Sequence, residues 1–376
     1  MEASEGDIDP GLIGERLERL PGVPALRSAL AGERAFVVGG AVRDLLLGGE
    51  HPDLDVAIEG DAPAVAARLG ADPVAHERFA TATVDLDGVR VDLASTRTER
   101  YPHPGALPEI EPAPLERDLA RRDFTVNAMA VPLLGAAELI DPHAGLDDLR
   151  ARQLSVLHAD SFRDDPTRAL RAARYAARLG FEIESATFDL LAAVDLSTVS
   201  RDRVEAELRR IAAEETAPAA FDLLARWGLA GLDGGVGARL LALQEVLASP
   251  GWAELVATAD AMYSVGVPDP DLEAGAVRLS SATPRRPSEG AALARGRLPA
   301  ELAAARVAGA AWLDDYVREW RHVGLEINGA DLMAAGVPEG PAIGRGLAAA
   351  LDAKLDGEVT GRDEELRVAL DAASSS

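Results

Sequence analysis

Residues 36 to 58 read FVVGGAVRDLLLGGEHPDLDVAI. The stretch begins like a buried strand, breaks at Gly39-Gly40, and resumes as a short helix carrying Arg43 and Asp44. A second apolar run then holds Asp53 and Asp55. In a strand, residues two apart face the same side. Asp53 and Asp55 therefore share a face, while Leu54, Val56 and Ile58 turn toward a core. Two adjacent carboxylates repel unless a cation lies between them. Magnesium suits carboxylate oxygens combined with substrate phosphates. The plain alternative is a solvated strand face, because Asp-x-Asp recurs at Asp7/Asp9, Asp85/Asp87 and Asp269/Asp271.

The surroundings strengthen the ligand reading, although a Gly-Gly break taken alone is more often a structural turn. Glycines between a strand and a helix allow close backbone approach, and exposed N–H groups there suit a phosphate. Arg43 follows one turn later, with a guanidinium that can grip phosphate oxygens in a fork. The Gly-Lys-Ser/Thr phosphate loop and the Gly-x-Gly-x-x-Gly fingerprint are both absent, so any triphosphate site is of another kind. A third carboxylate stands in VRVDLA, where Arg90 and Asp92 share the face opposite Val89, Val91 and Leu93. If this strand lies beside DLDVAI, Asp92 joins the pair. A surface pairing of Arg90 with Asp92 is the other reading.

From Ala35 to about Pro142, strand and helix patterns alternate. RAFVVGG and DLDVAIEG read as strands, and AVRDLLLG and APAVAARLG as helices, the latter capped by Gly70. TATVDLDGVRVDLAST reads as a hairpin about Asp87-Gly88. YPHPGALPEIEPAP reads as a loop too broken by proline for an element, and RRDFTVNAMAV as a further element of open type. Ahead of this region, one helix is expected over Leu12–Leu30. Beyond Leu146 the pattern is helical almost throughout. The expected divisions are a leader and helix over 1–33, an α/β head over 34–149, a helical neck over 150–215, and a helical body and tail over 216–376.

The neck carries a second constellation. In DDPTRALRAARYAARLG, Arg168, Arg171 and Arg174 recur every third residue and span one helix face, with Arg178 in the same arc. Alanine, leucine and Tyr175 are expected on the opposite face. Asp165 precedes Arg168 by three residues. Cytosine and adenine each present a ring-nitrogen acceptor beside an exocyclic amine. A carboxylate takes the amine and a guanidinium supplies the ring nitrogen. Uracil and guanine reverse both groups, so an Asp/Arg pair accepts C and A and leaves buried polar groups unpaired with U or G.

The chain has 376 residues, enough for two or three domains. Hydrophobic residues make up 48%, yet aromatics only 4%, which points to an Ala/Leu/Val core and a helical bias. No long uncharged apolar run predicts a membrane span, and the acidic N-terminal stretch lacks a signal-peptide pattern. Cysteine is absent, excluding disulfides and thiolate metal sites. A cytoplasmic protein is the simplest expectation. The net charge of −25 opposes a nucleic-acid partner if taken alone, but binding follows the local field. Lys354 is the single lysine, so nearly every cation is a guanidinium.

Taken in order, VVGGAVRDLLLG, DLDVAIEG, RRDFTVNAMA, LIDPHAGLDDL and SFRDDPTRALRAARYAARLGF resemble the bacterial tRNA nucleotidyltransferase and poly(A) polymerase family, CCA-adding type. VSRDRVEAEL and LEINGADLMAAGVPEGPAIGRGL are similar to later family segments, while 216–320 matches only as generic helix. The resemblance implies an α+β chain: a head with a five-stranded mixed sheet and helices, then an all-helical neck, body and tail. It implies that Gly39, Gly40 and Arg43 bind the nucleotide triphosphate and that Asp53 and Asp55 hold two Mg²⁺. It implies that Arg122 contacts the nucleotide, and that Asp165 and Arg168 read the base with Arg171 and Arg174 beside them. Arg201 and Arg203 are expected on the RNA side. The implied partners are tRNA, CTP and ATP, with no membrane and no inferred protein partner. The implied reaction is CMP and AMP addition to the tRNA 3′ end. C-only, A-only and poly(A) synthesis are the alternatives within the family. A fold retained only for RNA binding and a small-molecule nucleotidyltransferase are the alternatives outside it. Asp164-Asp165 stands where the family often has Glu-Asp, and the loop from Arg97 to Pro114 is shared by one-step and full CCA relatives.

Overall fold

The computed structural model describes residues 8–49, 54–69, 74–76, 80–86 and 88–374. The chain divides into two compact units, Met1–Glu207 and Leu208–Ser376, and the helix Arg201–Ala212 runs through the division.

The first unit carries ten strands among the described residues: β1 (Ala35–Val38), β2 (Leu54–Ile58), β3 (Val74–His76), β4 (Thr81–Leu86), β5 (Val89–Ser95), β6 (Arg97–Arg100), β7 (Glu109–Pro112), β8 (Ala130–Pro132), β9 (Gln153–Leu154) and β10 (Glu182–Ile183). Six form one mixed sheet in the order β3-β4-β5-β2-β1-β8, one strand more than the resemblance implied. Both edges are short, β3 lying antiparallel to β4 and β8 antiparallel to β1. Within the sheet β2 and β5 run parallel, and the remaining pairs are antiparallel. Alternation decides the faces: Leu54 and Val56 are buried beside half-exposed Asp55, and Val91 and Leu93 beside half-exposed Asp92. One sheet face packs Phe36, Val38, Ala57 and Ala130 against Leu115 and Leu119 of the helix Leu115–Ala120. The hairpin about Gly88 forms as expected, with Leu86 opposite Val89 and Gly88 at φ +83°.

Three expectations are corrected. The helix over Leu12–Leu30 is broken into Pro10–Leu12 (a 3₁₀ turn), Ile13–Glu18 and Val23–Ala29. Pro21 removes a helical N–H and Gly22 turns left-handed at φ +83°, so one helix cannot continue. The proline-rich loop contains a strand after all: β7 pairs antiparallel with β6, Glu109 opposite Arg100 and Pro112 opposite Arg97. Proline is tolerated there because it ends the strand of a two-stranded ribbon. The neck expected to be all helix holds a small parallel pair, β9 with β10, Gln153 opposite Glu182 and Leu154 opposite Ile183. RRDFTVNAMAV, whose type the sequence left open, resolves into a 3₁₀ turn, Thr125–Asn127, and β8. Gly70 and Asp87, expected at a cap and a turn, lie outside the described residues.

The second unit is helical among its described residues, from Ala217–Arg226 to Arg362–Ser374. The breaks expected at SPG, VPDPD and TPRRPSEG separate successive helices. Its last two helices, Pro341–Leu355 and Arg362–Ser374, approach so closely that a Cβ on Gly346 would lie 2.5 Å from the Ala369 carbonyl oxygen. The lone lysine neutralises a buried acid there, Lys354 Nζ lying 2.6 Å from Glu365 Oε1. No described helix is long and apolar enough to cross a membrane.

Candidate active site

The parallel register of β2 and β5 sets Asp55 directly opposite Asp92. The two carboxylates rise from one sheet face because each strand buries its alternate residues. On the far side of Asp92 the register supplies Thr83, whose hydroxyl donates to Asp92 Oδ1 at 2.5 Å. Arg90 stands 3.7 Å from the same carboxylate and is largely exposed. Both sequence readings of Asp92 are therefore present: it neighbours Asp55, and it forms a loose pair with Arg90. A cleft of about 390 Å³ lies over this face, lined by Asp55, Asp92, Thr81, Thr83, Arg90 and Arg122 among others. Asp53 lies outside the described residues. Among the described residues no three carboxylates or imidazoles gather as a metal-holding group. Asp55 and Asp92 are all-oxygen donors at an open cleft, the set a hard divalent cation takes.

The glycine break sits at the cleft's edge. Gly39 has φ +69° and ψ −134°, a conformation reserved for glycine. A Cβ there would lie 2.8 Å from Arg122 Nη1, so the missing side chain makes room for that guanidinium. The N–H of Gly39 is occupied by the Met129 carbonyl. Arg122 is held by Asp118, which accepts from its Nη2 at 2.9 Å, while Arg122 Nε is buried without a hydrogen-bond partner among the described residues. Asp118 also accepts from Arg121 Nε and Nη2 at 3.0 and 2.7 Å. Burial would raise the Asp118 carboxyl, but Arg122 and Arg121 outweigh it and hold it below the usual carboxylate range.

Arg43, expected at the phosphates, is only 2% exposed. Its Nη1 donates to Asn127 Oδ1 at 2.6 Å and its Nε to Asp44 Oδ1 at 2.8 Å. Gly40 opens the helix Gly40–Leu46, and a Cβ on it would meet Arg43 Nη2 at 3.4 Å.

The neck segment is bent by its proline. A short helix, Ser161–Asp164, ends at Asp165, and the helix Thr167–Leu179 begins after Pro166. Asp165 Oδ1 accepts from Thr167 N (3.0 Å), Thr167 Oγ1 (2.6 Å) and Arg203 Nη2 (2.9 Å). Arg168 is buried, with Nη1 donating to Ser161 Oγ and Nη2 to the Arg121 carbonyl, both at 2.7 Å. The two side chains expected to act together are thus each fixed by a different neighbour. Arg203 also donates to the Gly105 carbonyl at 2.8 Å, tying the Tyr101–Leu107 region to Asp165. Arg201 is exposed. Asp164 is pushed above the ordinary carboxylate range by burial.

Further along the helix, Arg171 donates through Nε and Nη2 to Asp123 Oδ2, the former at 2.9 Å. Burial would raise Asp123, but Arg171 and the Asn127 amide outweigh it and hold the carboxyl well below its usual range. Arg174 stacks on the Tyr175 ring. That corrects the expected faces: Tyr175 lies among the arginines, because residues i and i+4 meet on a helix, as Arg171 and Tyr175 do.

Sequence reasoning missed Thr83, Asp118, Asp123 and Asn127. The last two were visible as polar residues inside the apolar run RRDFTVNAMA, a sign of buried polar groups needing partners.

Residues 35–155 match the poly A polymerase head domain family. The chain is 38% identical over 354 residues to the CC-adding tRNA nucleotidyltransferase of Deinococcus radiodurans, covering 89% of this chain and 88% of that protein. It is 45% identical over 190 residues to the A-adding tRNA nucleotidyltransferase of Geobacter sulfurreducens, covering 49% of this chain. The match spans only 20% of that relative's length. Among solved structures it is similar to the Thermotoga maritima CCA-adding enzyme complexed with tRNA, with TM-score 0.76 and 27% identity over 96% of this chain and 98% of that one.

Proposed function

The chain belongs to the tRNA nucleotidyltransferase family, and from that premise we propose that it adds nucleotides to the tRNA 3′ end from CTP and ATP, releasing pyrophosphate. The observation that carries this reading is the in-register pair Asp55 and Asp92 in one cleft with Arg122. The 3′-hydroxyl attacks the α-phosphorus in line, and the P–O bond to pyrophosphate breaks. The family implies a divalent metal, and we assign it as Mg²⁺ held by Asp55 with Asp53, and Asp92 as a third carboxylate. Bound there, it supplies positive charge for the hydroxyl oxygen and the phosphates. Arg122 places a desolvated guanidinium beside the triphosphate, where a fixed charge is worth most. Asp165 and Arg168 hold the base: the carboxylate accepts from the exocyclic amine and the guanidinium donates to the ring nitrogen. Ser161, Thr167, Arg203 and the Arg121 carbonyl fix both groups before the nucleotide arrives. Residues 34–149 serve as the catalytic head, 150–215 as the base-reading neck and 216–376 as the tRNA-holding body and tail.

The full-length likeness to a CC-adding enzyme favours a second reading, addition of C alone. One experiment addresses both. Transcripts of one tRNA ending before, within and after CC are incubated with Mg²⁺ and each nucleotide separately. The expected result is incorporation from CTP, with UTP and GTP ignored. Extension of the CC-ended transcript by ATP supports full CCA addition, and its refusal supports C-only addition. Failure to extend any transcript overturns the proposal.

A further inference from the structure

Three guanidiniums converge on one aromatic ring. The Cζ atoms of Arg43, Arg171 and Arg174 lie 5.2, 5.6 and 4.6 Å from the centroid of Tyr175. All three fall within the range at which a cation is attracted by an aromatic face. They come from two elements distant in sequence, Arg43 from the helix after the glycine break and the others from the neck helix. Like charges this close repel unless something negative lies between them. Asp44 serves Arg43 at one edge and Asp123 serves Arg171 at the other, whereas the ring touches all three.

A chain of hydrogen bonds runs beside the same ring. Arg43 donates to Asn127 at 2.6 Å, and Asn127 Nδ2 donates to Asp123 Oδ1 at 3.1 Å. Arg171 donates to Asp123 and, from Nη2, to the Tyr175 hydroxyl at 3.3 Å. Phe124 packs its ring edge-on to Tyr175 at 5.9 Å and fixes the orientation of the face. Tyr175 therefore contacts Arg43 of the head helix and both Arg171 and Arg174 of the neck helix, and Asp44 adds a second link by pairing with Arg43 and, at 4.0 Å, with Arg178.

We propose that Tyr175 is a positioning residue for nucleotide binding: its π-face, seated against buried Arg43, holds Arg171 and Arg174 in place so that these two half-buried guanidiniums present one anion-binding surface to the triphosphate. The inference rests on the reading of this region as a nucleotide site. The ring acts on binding in the ground and transition states alike, so its loss raises KM for the nucleotide and leaves kcat and the tRNA KM near wild type.

The test replaces Tyr175 by Phe, by phenylalanine bearing one, two and three ring fluorines, and by Leu. Fluorination drains the negative face while keeping shape and volume, so folding is not at issue in that series. The expected result is near-wild-type KM for CTP with Phe. KM then rises stepwise with each fluorine to about tenfold in the trifluoro and Leu proteins. A flat fluorine series overturns the proposal. So does an increase with Phe equal to that with Leu, which would assign the effect to the hydroxyl. A wild-type protein that adds no nucleotide to any tRNA would instead defeat the functional reading, before any variant is compared.

Discussion

Asp123 shows how a single buried carboxylate sets the terms for its neighbours. It takes hydrogen bonds from Arg171, Asn127 and the Phe124 N–H. Replacing it by Asn keeps the shape but leaves Arg171 without its counter-charge. Breaking one side of a buried ion pair costs about 3 kcal/mol, so Asp123→Asn is expected to lower stability by that order in urea unfolding at pH 7. The sign of the pH effect follows from the depressed carboxyl. Its stabilisation is complete above the unfolded value of about 4 and is lost as the pH falls toward the folded value. The gap between wild type and variant should stay constant from neutrality down to about pH 4 and narrow below it. A gap under about 1 kcal/mol at pH 7 would mean that the pair contributes no more than a surface ion pair.

At the scale of the element, the turn between β1 and the helix Gly40–Leu46 does two jobs. It reverses the chain with a backbone only glycine adopts, and it leaves the space that Arg122 fills. Gly39→Ala meets both obstacles at once. Backbone strain of this kind costs about 1–3 kcal/mol, and the new methyl displaces Arg122 Nη1. The variant is expected to lose stability by that amount and kcat/KM for the nucleotide by about a hundredfold, more than the strain alone explains. Thermal unfolding and steady-state rates on one tRNA would separate the two losses. Unchanged kcat/KM in a destabilised protein would reduce Gly39 to a turn residue. The β6–β7 ribbon teaches the opposite lesson about elements. Its sequence is so rich in proline that a loop was the natural reading, yet pairing of Arg97–Arg100 with Glu109–Pro112 was available across the intervening turn.

For the whole molecule the open matter is charge. A chain carrying −25 is expected to hold RNA through local arginine patches, not through its total. Arg201 and Arg203, two residues apart, now have different expectations. Exposed Arg201 is suited to a phosphate, so Arg201→Ala should weaken tRNA binding and reduce the salt slope of log K by about one. Arg203 is engaged by Asp165 and the Gly105 carbonyl, so Arg203→Ala should leave that slope unchanged and blur the choice between CTP and UTP. Filter binding across a salt series, with single-nucleotide kcat/KM ratios, reads both. The idea fails if Arg203→Ala flattens the salt dependence as much as Arg201→Ala does.

The sequence by itself determined whatever depends on local period and on residue type. Alternating apolar residues put Leu54, Val56, Val91 and Leu93 on one buried face of β2 and β5, and hence Asp55 and Asp92 on the other. The Asp87-Gly88 signal placed the β4–β5 hairpin, and the three-residue step of arginines placed the helix Thr167–Leu179. Family motifs carried the functional expectation. Tertiary structure alone decided what depends on contacts between distant residues. Asp92 stands beside Asp55 because β2 and β5 pair parallel in one particular register, and a register slip of one residue would have turned one carboxylate to the other face. Arg203, 38 positions from Asp165, reaches it, and Arg43, 84 positions from Asn127, reaches that amide, through folding that no local pattern encodes. Tyr175 reads as one more half-apolar helix residue until the head supplies Arg43 against its ring. A side chain's partners are chosen by the packing of whole elements, and that packing is a property of the folded chain.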